Sequence, residues 1–114
     1  MEQIHLTACF KIQAGKTESF KDIAAQCVEA VRKNEEGAIR YQWFYAADQT
    51  GCKVLETYRD TEAVFAHMQN VGPLLQKLLE ISTVSGEVYG HITETLRKGF
   101  EGLDISFYEY ETGL

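Results

Sequence analysis

Three side chains able to handle protons fall close together in the chain: Glu56, Tyr58 and His67. A carboxylate gives or takes a proton according to how dry its surroundings are, and an imidazole titrates near neutrality. A phenol beside them can donate a strong hydrogen bond. The stretch Val54–Arg59 is rich in Val, Thr and Tyr, which suit a strand, and its period-two alternation sets Glu56 and Tyr58 on one face. From Asp60 onward the pattern turns helical. Asp60 offers an N-cap, and Glu62 puts a negative charge in the first turn. Val64, His67, Met68 and Val71 then recur at i, i+3, i+4 and i+7 on one stripe. The strand runs into the helix without a linker, so the three groups are expected to meet in one buried volume.

Each candidate has an architectural reading beside its chemical one. His67 is either a general base or a core imidazole bonded to a carbonyl or to Glu56. Glu56 is either a base whose pKa burial raises or the partner of Arg40 or Arg59 in an ion pair. Tyr58 and Tyr41 either hold a substrate oxygen or bond a neighbour. Trp43 either stacks on a flat substrate or fills the space between two protomers. Asn70 either donates to a substrate carbonyl or caps a helix C-terminus. There is no GxGxxG, no phosphate loop and no HxxxH, so neither a cofactor nor a metal is expected.

The elements that must position these groups are legible on both sides. Ile4–Gln13 alternates Ile4, Leu6, Ala8, Phe10 and Ile12 against polar residues, a strand with one apolar face. After a turn at Ala14-Gly15-Lys16, the residues Phe20, Ile23, Ala24, Cys27, Val28 and Val31 follow helical spacing, closed near Gly37. Ala38–Ala46 is an aromatic-rich strand, and the loop Ala47–Gly51 predicts an antiparallel hairpin with the strand of Glu56. Val71-Gly72-Pro73 predicts a break in the second helix, with Leu74, Leu75, Leu78 and Leu79 forming a short helix of their own. Ser82–Ile92 predicts a strand bulged or bent at Gly86 and Gly90. One or two helical turns over Thr93–Lys98 and a last strand over Ile105–Tyr110 complete the chain.

The order β-α-β-β-α-β, with a short helix and a final strand, predicts an α+β, ferredoxin-like split β-α-β protomer with helices on one face of an antiparallel sheet. Residues 1–114 are expected to form one domain. In the second strand both faces read as apolar or aromatic, and helices can cover only one. A homodimer with sheets packed face to face follows as an expectation.

The totals narrow the partners. A net charge of −6 without a Lys/Arg cluster argues against nucleic acid and anionic membrane. No apolar run nears the ~20 residues that a membrane helix needs, and no signal peptide is visible. Cys9, Cys27 and Cys52 are odd in number and lack metal spacing, with Cys9 and Cys27 read as lying on apolar stripes. Free thiols in a cytoplasmic protein are the reading.

Glu35-Glu36-Gly37-Ala38-Ile39-Arg40-Tyr41, Val54-Leu55-Glu56-Thr57-Tyr58-Arg59-Asp60 and Glu62-Ala63-Val64-Phe65-Ala66-His67 together resemble the antibiotic biosynthesis monooxygenase family. The resemblance spans most of residues 3–80. It implies a dimeric α/β barrel of ferredoxin-like protomers, with a small-molecule pocket between sheet and helices. It further implies cofactor-independent oxygenation of a quinol, phenolic or enolisable metabolite, with His67 and Glu56 as catalytic groups. Tyr58, Tyr41, Trp43 and Asn70 would then be the substrate contacts. The family also includes a metabolite isomerase and heme-degrading enzymes. Tyr58 stands where the latter carry Trp, and neither His5 nor His91 fits their ligand position, so heme cleavage is disfavoured.

Overall fold

The computed structural model describes residues 3–114. Strand β1 (Ile4–Ile12) leads to helix α1 (Thr17–Asn34), then to the hairpin of β2 (Ala38–Tyr45) and β3 (Gly51–Tyr58). Helix α2 (Thr61–Leu79), strand β4 (Ser82–Gly90), the short helix α3 (Glu94–Gly99) and strand β5 (Ile105–Glu109) follow. The five strands lie in the order β2-β3-β1-β4-β5. This is the ferredoxin-like α+β arrangement. The sheet departs from the expected antiparallel pattern at its edge, because β5 runs parallel to β4. The short helix between those strands carries the chain back, so β5 can re-enter in the same direction.

The register fixes which side chains face the helices. Leu6 pairs with Glu56 and Val88, and Glu56 pairs with Tyr41 across the other edge. One face therefore carries Ile4, Phe10, Val54, Tyr58 and Val88, all buried beneath the helices. Asp60 caps α2, its side chain accepting from the Ala63 amide at 2.8 Å.

Two local expectations are corrected. Helix α2 continues through Gly72 and Pro73 to Leu79. Val64, Val71 and Leu78 are all buried on one stripe, and that packing outweighs the ~3 kcal/mol penalty of an interior proline. Strand β4 pairs with β1 in unbroken register from Ser82 to Tyr89, without a bulge at Gly86. That glycine answers a close approach instead: a Cβ there would lie 2.6 Å from the Thr7 carbonyl oxygen. The irregularity of the sheet falls between Ala38 and Arg40 in β2.

Strand β2 keeps the split between Tyr41, Trp43 and Tyr45 on one face and Phe44 on the other, but the second face is more polar than expected. Tyr41, Trp43 and Tyr45 all pack inward with the cluster around Phe10 and Phe20. The opposite face shows Arg40 and Gln42, with Phe44 half exposed as its apolar member. Cys9 is exposed on that same open face, whereas Cys27 and Cys52 are buried, and all three are free thiols.

Candidate functional site

Beneath α2 the sheet bounds a cavity of about 410 Å³, within the range of small-molecule sites. Its walls are largely aliphatic: Leu6 and Val54 from the sheet, and Met68, Val71, Leu75 and Leu78 from α2. Tyr41, Glu56 and His67 form one polar corner. Ser82, Thr83 and Ser85 border it farther along β4, where β1 has run on to Ile12.

The polar corner is a continuous chain of contacts. The Tyr58 hydroxyl donates to Glu56 Oε1 at 2.5 Å. His67 Nε2 lies 3.6 Å from the same oxygen, near it without a direct hydrogen bond. On the other side of the ring, Nδ1–H donates to the Glu35 carboxylate at 3.0 and 3.1 Å. Asn70 steadies that carboxylate through Nδ2 at 2.7 Å, and the same amide reaches the Ala30 carbonyl at 3.0 Å. Asn34 donates to Asn70 Oδ1 at 3.2 Å. The Tyr58 and Tyr41 rings each sit 5.0 Å from the imidazole, centroid to centroid. The ring is thus held in place from both sides and fixed at Nδ1, which leaves Nε2 as its proton-exchanging atom.

Burial sets the electrostatics. Desolvation raises the Glu56 pKa above the ordinary 4.5; the nearby imidazole and the Tyr58 hydrogen bond pull it back, and Glu35 adds to the rise. Burial also raises the Tyr58 and Tyr41 phenols, so both stay protonated donors. The Cys27 thiol beside Tyr41 is pushed up to about 11 by burial, which keeps it a thiol rather than a nucleophile. The corner holds a carboxyl inclined to carry its proton, an imidazole fixed at Nδ1, and phenols able to bond an oxygen. That set can move protons in either direction.

The sequence candidates are distributed as follows. Glu56, His67, Tyr41 and Trp43 border the cavity. Tyr58 is fully buried behind Glu56, acting on it rather than on the cavity. Asn70 is neither a cap nor on the cavity wall; it lies in mid-helix and bridges α2 to Glu35 and to α1. The alternative ion pairs for Glu56 are corrected: Arg40 bonds Gln42 at 2.8 Å, and Arg59 sits 3.6 Å from Asp60.

Glu35 is the residue that reasoning from the chain missed. It follows the end of α1, distant in sequence from His67, yet its side chain is only 2% exposed. Gly37 permits the approach, because a Cβ there would stand 2.6 Å from Ala63 Cβ of α2. The Arg59 amide then fastens the loop by donating to the Gly37 carbonyl at 2.9 Å. The acidic-Gly segment was the available signal, though not for which helix residue it would meet. Among the described residues, no group of three or more His, Cys, Asp or Glu side chains is gathered as a metal site.

A family model described as antibiotic biosynthesis monooxygenase matches residues 3–72. The crystal structure of MupZ from Pseudomonas fluorescens superposes with a TM-score of 0.90 at 23% identity, covering 100% of this chain and 94% of that one. SnoaB, a cofactor-independent oxygenase from Streptomyces nogalater, gives 0.68 at 15% identity, covering 77% and 91%. Rv0793 from Mycobacterium tuberculosis gives 0.70 at 19% identity, covering 81% and 97%. At these identities the likeness is one of fold. Among curated protein sequences, none matches.

Proposed function

Because the chain belongs to the antibiotic biosynthesis monooxygenase family, we propose that it is a cofactor-independent oxygenase of a small quinol, phenolic or enolisable metabolite. The observation that carries this reading is the polar corner of an otherwise apolar cavity, where Glu56 and His67 meet with Glu35 fixing the imidazole. SnoaB, which shares the fold, is described as a cofactor-independent oxygenase.

In this mechanism His67 Nε2 takes the acidic proton of the substrate, and the electron pair stays on the substrate as an enolate. Glu35 stabilises the imidazolium that results. The enolate passes one electron to dioxygen, and the radical pair joins to form a carbon–oxygen bond. The peroxide is protonated, Glu56 being the acid at hand, and loses water to leave a carbonyl. One methylene and one dioxygen become one carbonyl and one water. Dioxygen is the oxidant, and the apolar walls favour its entry and exclude water from the enolate.

The raised pKa of Glu56 supports a second reading. An acid and a base facing one cavity suit proton relocation without oxygen, that is, isomerisation of an enolisable metabolite. Oxygen uptake measured against a quinol and phenol panel separates the readings. Oxygenation predicts one dioxygen consumed per substrate, lost in His67→Ala; turnover without uptake selects isomerisation. Ligand binding that persists in His67→Ala and Glu56→Ala, with no turnover by the parent, would mark the protein as a binder only.

The oligomer belongs to the same proposal. All three helices pack on one face of the sheet, and the other keeps Phe44 exposed beside Gln42 and Cys9. A second copy covering that face would make a homodimer, detected by sedimentation as twice the 12.9 kDa protomer mass. Only the 12.9 kDa species at micromolar concentration would rule it out.

A further inference from the structure

Away from its polar corner, the cavity beneath α2 follows the inner stripe of that helix past Met68 and Leu75 to Leu79. From His67 to Leu79 the helix rises about 18 Å. The volume also calls for a long occupant. A cavity of about 150 Å³ holds one benzene ring, and this one has about 410 Å³. A phenol seated at Glu56 and His67 therefore leaves most of the space unfilled.

The sheet is incomplete at the far end. Strand β5 pairs with β4 only from Gly86 onward, so the Ser82–Ser85 half of β4 lacks a strand on that edge. Leu79 of α2 and Leu103, from the loop between α3 and β5, both line the cavity there and are both exposed. A side chain that touches the cavity and solvent at once stands at its mouth. Single exposed leucines are ordinary, but two on the rim of one apolar cavity carry its lining out to the surface. The rim is also fixed in place. The Leu103 N–H donates to the Phe100 carbonyl at 3.1 Å, and the Gly86 N–H donates to the Asp104 carbonyl at 3.0 Å.

We propose that Leu79 and Leu103 are specificity determinants for a substrate with an apolar tail. Its phenol or enol head sits at Glu56 and His67, and an alkyl tail lies along α2 and leaves between the two leucines. The substrate class is thus an amphipathic phenol or enol rather than a compact one. The inference rests on the proposed function for the seat of the head; the tail is a matter of binding.

Para-alkylphenols carrying methyl, propyl, pentyl and heptyl chains are the probes, titrated calorimetrically into the whole chain. Each methylene that enters the cavity should tighten binding about fourfold. Alkyl chains gain from any apolar surface, so the rim variants decide. Leu79→Asp and Leu103→Asp should each weaken the pentyl and heptyl compounds by about tenfold and the methyl compound by about twofold at most. Both leucines are exposed, so neither change opens the core. His67→Ala should weaken every member alike and keep the gain per methylene, which separates loss of the head's seat from loss of the tail's. A parent that binds the series with this gain and turns over none of it would sink the oxygenase reading and leave this one standing. Affinity that stays level from methyl to pentyl, or rim variants that weaken all lengths equally, would overturn the proposal. So would a Leu103→Asp variant of lower sedimenting mass with its binding series intact, which would assign the rim to a second copy of the chain.

Discussion

Among the described residues, two histidine–glutamate pairs share almost the same separation in opposite settings. His67 Nδ1 lies 3.0 Å from Glu35, and His91 Nδ1 lies 3.1 Å from Glu109. The first pair has side chains 9% and 2% exposed; the second, 73% and 55%. At the surface, water screens the charges and the pair is worth little. Under α2 the side chains are largely removed from bulk solvent, a second carboxyl stands 3.6 Å beyond the ring, and the aromatic rings of Tyr41 and Tyr58 pack against it. Distance alone does not make a site. Burial separates the two settings, and the carboxyls bear opposite marks: Glu56 is raised above its ordinary value by desolvation, whereas Glu109 is lowered, first by its hydrogen bond with His91.

Breaking the two pairs in parallel should show the difference on several scales. His67→Ala should lower kcat/KM by about 10²–10⁴, the usual worth of a positioned proton carrier, while His91→Ala leaves it unchanged. Steady-state kinetics on whichever substrate shows turnover reads this directly. Glu35→Ala removes one partner of a buried pair and should cost about 3 kcal/mol in urea unfolding. Glu109→Ala, at an exposed pair, should move the unfolding midpoint far less. Asn70→Ala, which strips a donor from the Glu35 carboxylate, should cost about 1.5 kcal/mol, the lower range for a hydrogen bond to a charged group.

The smallest effect is the pH dependence, and its sign differs between the two carboxyls. Glu56 has a folded pKa above its unfolded one, so its contribution is fully present below about pH 4.5 and is lost as pH rises through the folded value. Glu56→Gln should therefore gain stability relative to the parent as pH climbs from 4.5 toward neutrality. Glu109 is lowered, so its contribution is present above about pH 4.5 and is lost as pH falls through the folded value. Glu109→Gln should instead lose relative stability as pH climbs toward 4.5 from below, with no further change above it. Parallel slopes for the two variants would collapse the distinction drawn here.

Much of this was written in the chain, and the rest was not for physical reasons. Period-two alternation put Glu56 and Tyr58 together, and the 3.6-residue stripe put His67 beneath the sheet; both are local rules that tertiary packing obeyed. Pro73 misled because an intrinsic propensity was set against a buried stripe, and the stripe prevailed. The inward turn of Tyr41, Trp43 and Tyr45 was hidden because an aromatic-rich strand does not reveal which face the helices take. Glu35 was invisible as a partner because its meeting with His67 depends on how closely the loop at Gly37 packs on α2.

The central claim is that burial, rather than pairing, sets the Glu56 carboxyl and raises its pKa above the ordinary value. Carboxyl ¹³C NMR across a pH titration, with the Glu56 signal assigned by its loss in Glu56→Gln, measures this in the unmodified protein. The account predicts a Glu56 midpoint above 4.5, moving higher still in Tyr58→Phe, with Glu109 below 4.5 in the same spectra. A Glu56 midpoint at or below 4.5 would contradict it.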